Sequence, residues 1–416
     1  MKTIKTAFLA LLSTLGLIAS PPLFAETAEN SPSAFSFNGF GTLGATRSSS
    51  SEAGFVRELS QPHGSAGKWR TEPDSLFGLQ ANWQATSELA VIGQVISRYH
   101  VGSSYDPEVS WAFLRWEPNG NASFRMGRLG TDFYLFSDSR QVGYSYLTVR
   151  PSADFFGVLP FSHIDGADAQ FTWPIGAAFL KARLHYGWLD EKLPLADRRW
   201  NLSGSRMVGG SLTFQQGAWT LRASSSSLRF EHNLPINELT DGLRSVSSMF
   251  PSAGAAADRL DIAGSTSRFH SLGGVYDEGP LQAQLMISRV THSSASFQNW
   301  WAGYALVGYR IGQFTPFVGY SWIRSQAKTL NPGLPSGIDP GLDQLAIGTA
   351  QVLADSHSNQ HTTTFGVRWD FATRLALKLQ LDLIRGKPDS LFPYRDETAA
   401  WKGHTNVSTI VLDYVF

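Results

Sequence analysis

Histidine is the side chain best suited to general acid–base work and metal binding, and this 416-residue sequence has ten. They stand scattered as His63, His100, His163, His185, His232, His270, His292, His357, His361 and His404. Only His357 and His361 are four apart, and they fall where a loop runs into a strand, so that spacing does not converge as it would on a helix. There is no Gly-x-Ser-x-Gly elbow, and no serine, histidine and acid set assembles from the order of residues. Asp339 and Asp343 carry oxygen donors within a Pro- and Gly-rich loop, where calcium binding competes with plain solvation. Cysteine is absent, which suits passage through an oxidising compartment without a disulfide. The sequence therefore implies no catalytic residues, no metal and no cofactor.

The charges that do follow a pattern are basic. In residues 178–188, Lys181, Arg183 and His185 alternate with Leu180, Ala182, Leu184, Tyr186 and Trp188. In residues 218–230, Arg222 alternates with Trp219, Leu221 and Ala223 in the same way. A period of two places alternate side chains on opposite faces of a strand. A cationic row backed by an apolar row steers ions; it makes no bonds.

Those rows need strands whose apolar side is covered. Residues 374–386 put Leu375, Leu377, Leu379, Leu381 and Leu383 at every second place, and residues 404–416 repeat the alternation. A soluble sheet would hide such a face under a second layer, yet no amphipathic helix is legible anywhere to supply one. A lipid bilayer supplies it. Sixteen stretches read as strands: 34–47, 75–85, 89–101, 108–116, 122–129, 167–173, 178–188, 206–214, 218–230, 267–277, 280–291, 300–311, 314–326, 359–371, 374–386 and 404–416. Seven short turns and eight longer loops alternate strictly between them. An all-β, antiparallel transmembrane barrel has this layout, because it leaves no unpaired edge in hydrocarbon; a soluble sandwich or propeller is the rival.

The termini add a resemblance. Lys2 and Lys5, the apolar run 7–19 and Ala25 read as a secretory signal over residues 1–25, with the mature chain from Glu26. The last strand carries Ile410, Leu412, Tyr414 and a terminal Phe416. It resembles the closing strand of Gram-negative outer-membrane barrels, which in that family the assembly machinery recognises. The mature chain, 26–416, is similar in architecture to the trimeric general porins. The resemblance implies short periplasmic turns, long extracellular loops, a homotrimer in outer-membrane lipid, and a third loop folded into the lumen.

The composition agrees. Thirty-four basic side chains, two of them Lys2 and Lys5, stand against 34 acidic ones, which leaves no electrostatic footprint for nucleic acid. Mean hydropathy is −0.14, and no stretch reaches the roughly 20 apolar residues of a membrane helix. Gly 39 and 12% aromatic residues suit a large barrel with aromatic girdles, with Trp83, Trp173, Trp188, Trp219, Trp301, Trp322 and Trp369 near strand ends as interface residues.

The third loop, residues 130–165, brings Asp132, Asp138, Arg140, Arg150, Asp154, His163 and Asp165 together with an aromatic run from Phe155 to Phe161. An inward fold would bury that run against the wall; an outward loop packed on itself is the alternative. The wall candidates are Arg98, Arg115, Arg125, Lys181, Arg183 and Arg222. An outward arginine at midplane would cost about 2–4 kcal/mol, which fixes the last three inward. Arg115 is open, because Val109, Trp111 and Phe113 argue one parity and Ala112, Leu114 and Trp116 the other. Arg98 shares a face with Ile92 and Ile96. Each inward charge is also explained by simple pairing with a neighbour.

Passive diffusion of small hydrophilic solutes and ions is the leading function, without an enzyme reaction. A substrate-selective, anion-preferring channel is second; an outer-membrane enzyme or an adhesin is further off. The sign of the selectivity stays open, since bases line the wall and acids the loop.

Overall fold

A computed structural model describes residues 34–157, 159, 161–195, 198–388, 390 and 401–416. The signal segment 1–25 and the expected mature start at Glu26 lie outside them. The strands are β1 (Phe35–Ser48), β2 (Leu76–Gln84), β3 (Leu89–Arg98), β4 (Glu108–Asn119), β5 (Ala122–Gly130), β6 (His163–Ile175) and β7 (Ala178–Trp188). After β8 (Lys192–Leu195) and β9 (Arg198–Asn201) come β10 (Arg206–Gln216), β11 (Trp219–Arg229), β12 (Thr266–Glu278) and β13 (Leu281–His292). The last are β14 (Asn299–Tyr309), β15 (Phe314–Gln326), β16 (Asn359–Ala372), β17 (Leu375–Gly386) and β18 (His404–Val415). All but β8 and β9 form one closed antiparallel barrel of sixteen strands, each paired with its sequence neighbours and β1 with β18. No described helix is long and apolar enough to cross a membrane.

The barrel is inside-out relative to a soluble protein. In β17 the inward side chains Ala376, Lys378, Gln380, Asp382 and Ile384 are all buried, and none of the five leucines is. Elsewhere Leu184 and Leu285 are each 66% exposed on strands with no protein layer outside them. Hydrocarbon is the layer that makes this arrangement stable. Aromatic rings crowd the ends of the strands next to the short turns: Phe35 stacks on Trp83 at 5.7 Å, Phe171 on Trp173 at 6.1 Å and Phe314 on Trp369 at 5.6 Å. Their amphipathic edges suit a headgroup boundary.

Closure explains the glycine-rich first strand. Gly39 and Phe416 exchange two backbone hydrogen bonds of 2.9 Å, and Phe40 then pairs with Val415 up to Ser48 with Val407. The Phe416 ring lies over Gly39 and the Tyr414 ring over Gly41, so a Cβ at Gly39 would fall 2.1 Å from the Phe416 ring. Gly39→Val is expected to displace that ring and destabilise the barrel by about 1–3 kcal/mol. Urea unfolding followed by electrophoretic mobility reads this, and an unchanged midpoint would mean the ring packing is dispensable.

Three local expectations need correction. Helices do occur: α1 (Ala153–Phe156) in the third loop, α2 (Asn237–Ser245) and α3 (Pro251–Leu260) between β11 and β12, and α4 (Pro340–Ala354) between β15 and β16. The last three pack on one another through Leu243, Ala256, Leu260 and Val352; they cap loops and do not cover the leucine face. The segment 189–205, read as a plain loop, holds the β8–β9 hairpin. β6 begins at His163, not at 167, which moves His163 and Asp165 from the loop onto the wall.

Candidate functional site

The described residues among 131–162 lie within the barrel and are tied to its wall nearly all the way round. At one end the Phe133 carbonyl accepts from Ser224 on β11 and from Ser271 Oγ on β12 at 2.8 Å. Arg368 on β16 donates to the Tyr144 and Tyr146 carbonyls at 2.7 and 2.9 Å. Lys378 Nζ on β17 donates to the carbonyls of Gly143 at 2.8 Å and Thr148 at 3.0 Å. Asp154 accepts from Ser321 on β15 and Gln360 on β16, each at 2.7 Å. Phe155 and Phe156 pack on the wall's Tyr304, with ring centroids 5.2 and 5.4 Å away. Leu159 and Phe161 are buried with them; Val158 and Pro160 lie outside the described residues.

The basic row of β7 and β11 meets this loop through one carboxylate. Asp132 pairs with Arg222 and, at 3.4 Å, with Arg183, and accepts from Ser211 Oγ at 3.1 Å. Burial raises the Asp132 pKa, but the two guanidiniums outweigh it and hold the carboxyl below its usual range. Lys181, Arg183 and Arg222 line a cavity of about 290 Å³ together with Gln170, Ser211, Thr213 and the exposed Asp138. The Nε of Arg183 and that of Arg222 are buried without hydrogen-bond partners. Cationic side chains that line a cavity attract anions and polar solutes.

Across the lumen the polarity is reversed. Arg150, on the loop, donates to both Asp74 oxygens at 2.8 and 3.1 Å, to Asp382 on β17 at 3.4 Å and to Thr409 on β18. Its guanidinium also lies 4.7 Å from the centre of the Phe55 ring. Asp74, Asp382 and the fully buried Lys378–Asp413 pair, 2.8 Å apart, were not among the sequence candidates. A signal existed: Lys378 and Asp382 alternate with leucines just as Lys181 and Arg183 do.

The remaining candidates separate. Arg98 does face inward beside Ile92 and Ile96, because Val91 and Val95 are the exposed pair on β3. It binds Glu58, in the loop after β1, and Glu108 at 2.6 Å. Arg140 reaches the same Glu58 at 3.7 Å. Arg125 grips Asp168 on β6 through two nitrogens and lies over Phe113. Arg115 faces inward near Glu117 at 3.5 Å. Its ambiguity had a physical cause: β4 has a bulge, with Trp111 opposite Gln94 and Val109 opposite Val95, so Ser110 is an extra residue and the parity flips there. Asp165 does not belong to the loop; it pairs with Arg128 at 2.7 Å from β6.

Burial raises the Glu58 pKa, but Arg98, Arg140 and Arg57 together push it down to about 2, from an ordinary 4.5. A carboxyl depressed in the folded state adds stability above its unfolded pKa, and that contribution is lost as pH falls through the folded value. Docking of the loop after β1 is therefore expected to weaken between about pH 4.5 and 2. Acid-stable protease digestion across that range reads it; Glu58→Gln should flatten the dependence, and a wild-type chain equally protected at pH 2 and 7 would contradict it.

Metal and calcium readings find no support in the geometry. His357 Nδ1 faces Gln298 Oε1 at 3.2 Å, whereas His361 is exposed beside Tyr320. Asp339 caps α4, accepting from the Gly341 and Leu342 amides, and Asp343 accepts from the Gly337 amide. Among the described residues no group of three acidic or histidine side chains could hold an ion.

No family model and no curated protein matches the sequence. Solved structures do match the fold. Salmonella typhi OmpF, in complex with daunomycin, is 11% identical with a TM-score of 0.55, covering 92% of this chain and 97% of that one. An anion-selective porin from Comamonas acidovorans is 12% identical with a TM-score of 0.53, over 92% and 99%. Vibrio cholerae OmpT, an outer-membrane protein in a trimer form, is 15% identical with a TM-score of 0.52, over 92% and 100%.

Proposed function

We propose that this chain, which has the porin-type outer-membrane barrel fold, is a passive channel for small hydrophilic solutes and ions. The observation that carries the reading is the inserted loop. It holds Asp132 against the basic row Arg183 and Arg222 on one side and Arg150 against Asp74 and Asp382 on the other. Fixed charges of both signs across a narrow lumen set up a transverse field, which orders dipolar solutes and sorts ions without binding them tightly. No reaction and no cofactor enter this account. Swelling of liposomes that contain the full barrel tests it. Rates should fall steeply from small to larger uncharged sugars, and liposomes that never swell would exclude free diffusion.

A second reading has its own support. The unpartnered Nε atoms of Arg183 and Arg222, next to Lys181 in one polar cavity, favour anionic solutes that pause on the wall. Conductance that saturates with phosphate or an organic dicarboxylate, but not with chloride, would establish that selectivity. Three further parts belong to the proposal. Residues 1–25 are removed on export, the terminal strand ending at Phe416 is read by the assembly machinery, and three copies associate in the lipid of a Gram-negative outer membrane. The trimer form of the Vibrio cholerae protein supports the last.

A further inference from the structure

The lumen holds a second chamber that hydrophilic diffusion does not explain. It has a volume of about 270 Å³ and lies at the loop end of the barrel, between the wall and the β8–β9 hairpin. Phe133 from the third loop, Leu193 and Trp200 from the hairpin, and Phe230, Phe269 and Phe297 face it. The polar groups at its edge are already engaged. Gln298 donates to the Leu353 carbonyl at 2.7 Å and accepts from Ser325 Oγ at 2.7 Å, and His292 Nδ1 lies 2.6 Å from Ser267 Oγ. The charged residues bordering it, Arg268 and Asp355, are exposed. An aqueous pore gains nothing from such a lining, since water finds few partners there.

One polar atom is left over. The Trp200 ring lies 5.3 Å from Phe230 and 5.5 Å from Phe297, and Trp200 is 7% exposed. Its Nε1 is buried without a hydrogen-bond partner, although a buried indole N–H ordinarily has one. From the ring-lined walls and this unused donor, we infer that the chamber binds a flat aromatic molecule bearing one hydrogen-bond acceptor, such as an aryl carboxylate. Its size supports this: an apolar cavity of roughly 150 Å³ accommodates benzene, so this chamber takes a two-ring solute. Ring edges and faces give the solute offset and edge-on partners, while the indole orients its acceptor. The inference is separate from the diffusion reading, because the chamber lies at the mouth and binding there requires no conduction.

Titration calorimetry of the detergent-solubilised full chain with 2-naphthoate tests it, with empty micelles as the reference. The expected result is saturable binding at one site per chain. Leu193→Glu places a carboxylate in the apolar lining and should weaken 2-naphthoate at least about tenfold. Trp200→Phe keeps a ring and removes the donor; it should weaken 2-naphthoate about fivefold, the worth of one hydrogen bond, and leave naphthalene unchanged. Unheated electrophoretic mobility verifies that each variant is folded. Heats equal to those of empty micelles, or equal affinity in wild type and a folded Leu193→Glu, would overturn the site. Trp200→Phe binding 2-naphthoate as tightly as wild type would overturn the role of the indole. Conductance in potassium chloride, measured on the same preparations, judges the diffusion reading independently.

Discussion

Replacing Lys181, Arg183 and Arg222 together by glutamine is expected to move the reversal potential of the open channel toward cations. All three line one polar cavity, and Asp132 is the carboxylate paired with two of them. A unit charge about 10 Å from an ion in water contributes about 0.4 kcal/mol, and 0.1 M salt reduces that roughly threefold over the same distance. Three charges, acting oppositely on cation and anion, then amount to about 1 kcal/mol, roughly a fivefold change in the permeability ratio. The released Asp132 adds to the shift as long as it stays ionised. The measurement is the zero-current voltage under a salt gradient. A value unchanged from wild type would remove this row from the ion path.

Arg150→Met is expected to cost about 3–5 kcal/mol, because it leaves buried carboxylates without their cation. The Arg150 side chain is 2% exposed, and its partners Asp74 and Asp382 are 1% and 7% exposed. The barrel's strand pairing does not depend on this contact, but the seating of the inserted loop does. The variant should therefore stay barrel-like on unheated gels, while the loop becomes open to trypsin and the open current becomes larger and noisier. Adding Asp74→Asn and Asp382→Asn should restore much of the protection, since removing the unpaired charges removes their desolvation cost. Protection and current equal to wild type in Arg150→Met alone would mean that the loop is held by its aromatic packing.

The barrel was legible because lipid imposes a simple rule: every second side chain on a spanning strand must be apolar. β7 follows it over its whole length and β17 from Leu375 to Leu383, so Lys181 and Arg183 could be assigned inward from sequence. β4 could not be read that way, because the extra residue at Ser110 reverses the alternation midway and each half supports a different parity. Arg98 fits the rule because Ile92 and Ile96 face inward with it, while Val91 and Val95 are the exposed residues of β3. Helices α2 and α3 are short and set among Ser, Gly and Ala, and they gain their order by packing on each other and on α4, which no local pattern reports.

The site was legible in half. The segment carrying the loop charges was apparent from its length and aromatic run, whereas its partners were not. Arg150 and Asp382 are 232 positions apart, and Asp154 and Gln360 are 206 apart. Such contacts depend on where the loop crosses the lumen, and alternation within a strand carries no information about that. Lys378, Asp382 and Asp413 share the inward parity of their strands, opposite the apolar face.

The most direct test of a conducting lumen is the single-channel record of the wild-type chain in a planar bilayer. Discrete, long-lived open steps are expected, with a reversal potential under a salt gradient that indicates only weak selectivity. Protein that inserts as a folded barrel yet never opens, at any voltage the bilayer tolerates, would contradict it.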